Sequence, residues 1–359
     1  MNREFDLNRR PLIVIWETTQ SCDLACFHCR ASAQPNHHPQ ELNTLEAEKM
    51  IRDVAELRPP IFILTGGDPL KRPDIFELVR YAASQQLHPA MTPSATPLLT
   101  QTAIAELKKS GLSRLAVSLD GSVPELHDRF RGVPGSYART LDAIYWANVH
   151  HLPIQVGTTI SKRNLHDLEN IANLLKDFRI VLWSLFLLVP TGRGQLDDLP
   201  SAQEVEKVFG QLYRLSGNVP FKIKTTEAQH YRRFVLQQRC WEAAASLPEL
   251  SNGGEQSIPG LLPINDGKGF AFVSHTGEVF PSGFLPISGG NVRHQTLTGI
   301  YRDSKLFQSL RDSSNLKGKC GRCEFRELCG GSRARAYAIT GDYFAQDPCC
   351  AYQPVAAVA

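Results

Sequence analysis

The chain has 359 residues, 42% hydrophobic and 21% charged, with 39 Lys+Arg against 36 Asp+Glu for a net charge of +3. That composition excludes intrinsic disorder, and a length set against about 150 residues per domain suggests roughly two domains. The near-balance of charge excludes the cationic excess of a dedicated nucleic-acid binder, and no apolar run reaches the roughly 18 residues of a bilayer span. The first residues, Met1 to Asp6, lack the apolar core of a signal peptide, so a cytoplasmic protein with neither membrane nor nucleic acid as partner is expected.

In chain order, Leu12–Trp16 reads as a first, nearly continuous apolar strand, followed by a loop bearing Cys22, Cys26 and Cys29. Further strands are expected at Ile61–Leu64, Pro89–Met91, Leu115–Ser118, Ile154–Gly157 and Val181–Phe186. Amphipathic helices alternate with them at Thr44–Leu57, Asp74–Ser84, Thr102–Ser110, Tyr137–His150 and Leu165–Lys176. Such alternation, without a Gly-rich dinucleotide fingerprint, predicts an α/β fold: a partial (β/α)6 TIM-like barrel whose chemistry sits at the strand C-terminal ends. Gly66-Gly67-Asp68 and Ser118-Leu119-Asp120 fall on that rim, as does the first cysteine group.

A basic run from Lys222 to Arg233 follows the sixth strand. Residues 236–268 read as a linker, rich in Gly, Pro, Ser and Asn from Leu247 onward. Gly269–Val273 and Glu278–Phe280 flank His275-Thr276-Gly277 as a hairpin, with a short helix near Ser304–Arg311. The expected division is a barrel over 1–235, a linker over 236–268, and a small α+β domain over 269–359.

Nine cysteines, an odd number, fall into two groups with Cys240 alone between them. In a reducing compartment such grouping argues for metal rather than disulfides, and Cys240 reads as a structural thiol. Cys22-x3-Cys26-x2-Cys29 supplies three thiolates and leaves an iron–sulfur cube with one open iron or a zinc site as alternatives. Cys320-x2-Cys323-x5-Cys329 with Cys349 or Cys350 supplies four, which a zinc ribbon or knuckle would also use.

The first cysteine spacing in that loop, with Gly66-Gly67-Asp68-Pro69-Leu70 after the second strand, resembles the radical S-adenosylmethionine (radical SAM) superfamily. The resemblance implies a [4Fe-4S] cluster on Cys22, Cys26 and Cys29 whose open iron chelates the methionyl amino and carboxylate groups of SAM. Reductive cleavage to a 5′-deoxyadenosyl radical and hydrogen abstraction from substrate would follow. It also implies an adenine-side position for His28 and contacts to the methionyl moiety from Gly66, Gly67 and Asp68, where the family commonly has Glu at the last. Ser118 and Asp120 would reach the ribose or the carboxylate, and Arg193, in the loop after the sixth strand, an anion.

Gly330-Gly331-Ser332-Arg333-Ala334-Arg335-Ala336, and Gly341-Asp342 ahead of Asp347-Pro348-Cys349-Cys350, resemble the SPASM/twitch-like iron–sulfur domain of that superfamily. This implies one auxiliary [4Fe-4S] cluster on Cys320, Cys323, Cys329 and Cys350, because Ser282 stands where a second cluster would need a cysteine. Full protein ligation would suit it to electron relay.

The tail from Cys320 to Tyr352, with Gly289-Gly290-Asn291-Val292-Arg293, is similar to the tetrapyrrole-processing branch of the superfamily. That implies side-chain removal or oxidative decarboxylation on a heme precursor, with cations of the basic run meeting its carboxylates and a ferredoxin or flavodoxin supplying electrons. A peptide maturase forming thioether or carbon–carbon crosslinks is the competing enzyme reading, and a non-catalytic zinc protein the reading from another class.

Overall fold

The computed structural model describes residues 5–246 and 262–355. Strands β1 (Ile13–Glu17), β2 (Ile61–Thr65), β3 (Pro89–Met91), β4 (Arg114–Ser118), β5 (Ile154–Ile160), β6 (Leu182–Leu187) and β7 (Lys222–Thr226) pair in chain order, all parallel. The fold is a partial TIM-like barrel, with one parallel strand more than the six expected. That strand, β7, lies inside the run read as basic: Lys222, Lys224 and Thr226 alternate with Ile223 and Thr225, a period of two hidden by charge.

The strands are apolar because helices cover their outer faces, as parallel sheets require. Val14, Trp16, Phe62, Leu64 and Trp183 are fully buried in the core beneath those helices. Helix starts follow local chemistry: Asn43 and Glu46 form a reciprocal capping box at Thr44–Leu57, and Ser201 and Glu204 another at Ala202–Ser216.

Beyond β7, a helix at His230–Ser246 covers the first eleven residues of the stretch read as linker, and residues 247–261 of that stretch lie outside the described residues. Strand β8 (Phe270–Val273) then pairs in parallel with β1, Ile13 opposite Phe270, so the sheet passes unbroken from residues 1–235 to residues 269–359. Strand β9 (Glu278–Phe280) completes the expected hairpin with β8, and β10 (Gly290–Asn291) follows. The cysteine-bearing tail is anchored by Arg335, which donates to both carboxylate oxygens of Asp347 at 3.0 and 2.7 Å in a fully buried ion pair. Among the described residues no helix is long and apolar enough to cross a membrane.

Candidate active site

The loop after β1 brings Cys22, Cys26 and Cys29 to one cavity of about 230 Å3 at the C-terminal ends of the strands. His28, Gly66, Gly67, Ser118 and Arg193 line the same cavity. Burial raises the Cys22 thiol against a 3.3 Å contact with Ser94 Oγ, and raises Cys26 against the charge of Arg131, which lies 3.7 Å from its sulfur. Backbone N–H groups of Leu24 and Ala33 point at the sulfurs of Cys22 and Cys29, at 3.3 and 3.5 Å. Hydrogen bonds of this kind to sulfur tune iron–sulfur clusters.

His28 is held neutral, well below the usual histidine range, by burial and then by the charges of Arg131 and Arg193. Its ring packs 4.7 Å from Phe130, while His28 Nδ1 and Arg193 Nη2 are buried polar atoms with no partner in the protein. Unsatisfied polar atoms beside a cavity fit a polar ligand such as a nucleotide.

Two of the expected site residues lie outside the cavity lining. Asp68 does not line the cavity, because its short side chain turns back to accept from Leu70 N at 3.2 Å and Thr96 Oγ1 at 2.7 Å. Asp120 does not line it either. Its carboxylate pairs with Arg131 and accepts from Thr159 N at 2.7 Å, so it acts on the site only through Arg131, which does line it. The two glycines also answer to the chain itself: a Cβ at Gly66 would lie 2.4 Å from Thr19 O, and one at Gly67 2.4 Å from Ser21 O. Only glycine lets the β2 loop pass this close to the cysteine loop.

Arg193 reaches the site in an unexpected way, donating from Nε to Cys26 O at 2.9 Å and from Nη1 to Ala33 O at 3.4 Å. Sequence reasoning missed Arg131 and Arg30 altogether. Arg30 follows Cys29 directly, pairs with Glu17 Oε2 at 2.7 Å and lies over the Phe272 ring, tying the cysteine loop to β8. Neither arginine belongs to a motif, since each is placed by folding rather than by spacing.

Cys320, Cys323, Cys329 and Cys350 surround a second, small cavity of about 20 Å3. Cys349 does not: it is buried with its sulfur 3.5 Å from Pro200 O. Burial pushes the Cys323 thiol up to about 11 and Cys329 to about 12, so both stay protonated until a cation draws them. Asp347 N and Gly331 N lie 3.4 and 3.3 Å from the sulfurs of Cys320 and Cys329. Among the described residues no three His, Cys, Asp or Glu side chains converge on a single ion, and each cysteine group instead rings a space.

A third cavity, about 210 Å3, lies between these sites. It shares Arg30, Gln155 and Phe186 with the first. At its far end is Asn265, which donates to Cys329 O at 3.2 Å and Gly331 O at 2.9 Å.

A parallel partial barrel with a cysteine trio at its strand ends and a second cysteine site on an appended segment fits an enzyme of the cluster-bearing radical class. Residues 16–175 match the Radical SAM superfamily. The chain is 40% identical over 348 residues to an AdoMet-dependent heme synthase of Methanosarcina barkeri, covering 97% of this chain and 98% of that one. It is therefore a member of the radical SAM superfamily. An Fe-coproporphyrin III synthase of the same organism is 30% identical, with 97% of this chain and 89% of that one covered. A PqqA peptide cyclase of Bradyrhizobium diazoefficiens is 28% identical, with 96% and 87% covered. Among solved structures, Streptococcus suis SuiB bound to S-adenosylmethionine shares the fold at a TM-score of 0.72 and 15% identity, over 96% of this chain and 78% of that one.

Proposed function

We propose that this enzyme acts on a carboxylate-bearing tetrapyrrole in heme formation, removing or oxidatively decarboxylating its side chains. The 40% identity along nearly the whole chain to an AdoMet-dependent heme synthase carries the reading. In it, Cys22, Cys26 and Cys29 hold a [4Fe-4S] cluster that binds SAM, and Cys320, Cys323, Cys329 and Cys350 hold one auxiliary [4Fe-4S] cluster. Bound there, cluster and SAM supply a 5′-deoxyadenosyl radical that abstracts hydrogen from the substrate.

The chain's own residues divide the remaining work. Arg131, braced by Asp120, offsets negative charge at Cys26, and Arg193 fixes the cysteine loop from the opposite side. Ser118 and the backbone at Gly66 and Gly67 border the nucleotide, with His28 beside its base. The third cavity takes the substrate, lined by Phe186, Phe270 and Phe272 and ending near the auxiliary cysteines. A ferredoxin or flavodoxin is the electron donor, and a cytoplasmic setting suits nine cysteines of which none is in a disulfide.

The 28% identity to a peptide cyclase supports crosslinking of a peptide as the second reading. Oxygen-free incubation with SAM, a strong reductant, and either iron porphyrins bearing propionates or candidate peptides separates the two by mass spectrometry. Loss of carbon dioxide from a porphyrin side chain is expected. Loss of hydrogen pairs from a peptide, with porphyrins untouched, would overturn the tetrapyrrole assignment.

A further inference from the structure

We propose that Lys224 and Arg232 form the carboxylate-reading wall of the third cavity, which rests on the tetrapyrrole reading and names the residues that would select its substrate. The basic run does not act as one patch. Lys222 is exposed and outside the cavity, and Arg233 is committed to Glu206 by two hydrogen bonds of 2.6 and 2.7 Å. Lys224 and Arg232 alone among its Lys and Arg residues face the cavity.

Neither has an acidic partner among the described residues. Lys224 makes no hydrogen bond or ion pair among the described residues, and Arg232 donates only to the backbone carbonyls of Leu328 at 3.1 Å and Ile264 at 2.6 Å. The cavity's third cation, Arg30, is neutralised by Glu17. Two acids, Glu227 and Asp266, also reach the cavity but are engaged behind it. Glu227 accepts from Ser332 Oγ at 2.5 Å, and Asp266 from Arg333 N and Ala334 N, each at 3.0 Å. Burial raises both of these carboxyls.

Desolvation by the surrounding chain, with the charges of Arg232 and Arg114, lowers Lys224 from the usual lysine range although the residue stays exposed. Lys224 is exposed and Arg232 half-buried, and among the described residues both stand without a counter-charge beside Ile15, Ile63, Phe186 and Phe272. A flat apolar ligand with carboxylates at its rim supplies both needs. Arg232 offers the planar fork and Lys224 the mobile point charge.

The test is equilibrium binding to cluster-reconstituted enzyme of an iron porphyrin bearing free propionates and of its methyl ester, followed by the porphyrin's visible absorption. Wild type is expected to favour the free acid. Lys224→Gln should weaken the free acid about tenfold and leave the ester unchanged, erasing the preference, while Lys224→Arg restores most of it. Equal weakening of acid and ester, or no change in either, would overturn the role of Lys224 while sparing the tetrapyrrole reading. Wild-type enzyme that binds neither porphyrin would overturn both.

Discussion

Arg193 Nε donates a 2.9 Å hydrogen bond to the carbonyl of Cys26, tying the loop after β6 to the loop that carries the first cysteine trio. The Arg193 backbone N–H adds a second tie, 2.9 Å from Cys29 O. Gly192, at φ 61°, permits the approach, since a Cβ there would lie 2.4 Å from Cys29 O. Arg193→Ala should therefore slow 5′-deoxyadenosine formation about tenfold, the scale of losing a charged hydrogen bond or two. Arg193→Lys should recover little, because one ammonium cannot span the carbonyls of Cys26 and Ala33. Wild-type rates in both variants would remove this buttress from the account.

Asp120 is best tested by stability. It is the buried partner of Arg131, whose own pKa it raises, so Asp120→Asn strands a buried guanidinium at a cost of about 3 kcal/mol. Chemical denaturation without oxygen should show that loss. An unchanged unfolding midpoint with only a higher KM for SAM would instead restore Asp120 to the nucleotide.

Adjacent cysteines at 349 and 350 offer a sharp contrast. Cys350→Ala should lower bound iron below about eight per chain and make the auxiliary cluster labile, because it opens one corner of that site. Cys349→Ala should keep all the iron and lose only packing against Pro200. The reverse pattern of iron contents would exchange their roles.

Glu227 gives stability a pH dependence. Burial, reinforced by Asp266, pushes its carboxyl up to about 8 from an ordinary 4.5. The native state keeps a proton that the unfolded chain releases, so this contribution is full below about 4.5 and is lost as pH rises towards 8. Glu227→Gln should gain stability over wild type as pH climbs from 5 to about 8.5. A difference that stays flat across that range would show Glu227 already ionised.

Much of this was legible in the sequence because spacing encodes it. The six apolar strands announced themselves by run length, and both cysteine groups by their intervals, so the barrel and the ring of Cys22, Cys26 and Cys29 followed. What stayed hidden depends on tertiary placement. Asp68 and Asp120 sit where the rim predicts, yet each carboxylate turns inward to a partner that sequence cannot supply. Strand β7 was masked by its lysines, and the pairing of β8 with β1 by the 43 residues separating β8 from β7. Helices at Pro124–Arg131 and Arg333–Thr340 escaped notice because charge blurs their apolar faces.

The most direct measurement is of 5′-deoxyadenosine formed from SAM by oxygen-free, reconstituted, strongly reduced enzyme, wild type beside Cys26→Ala. Wild type should form it steadily and the variant not at all, while the variant should still hold about four iron atoms on its C-terminal cysteines. Undiminished 5′-deoxyadenosine from Cys26→Ala would contradict the assignment of the SAM-binding cluster.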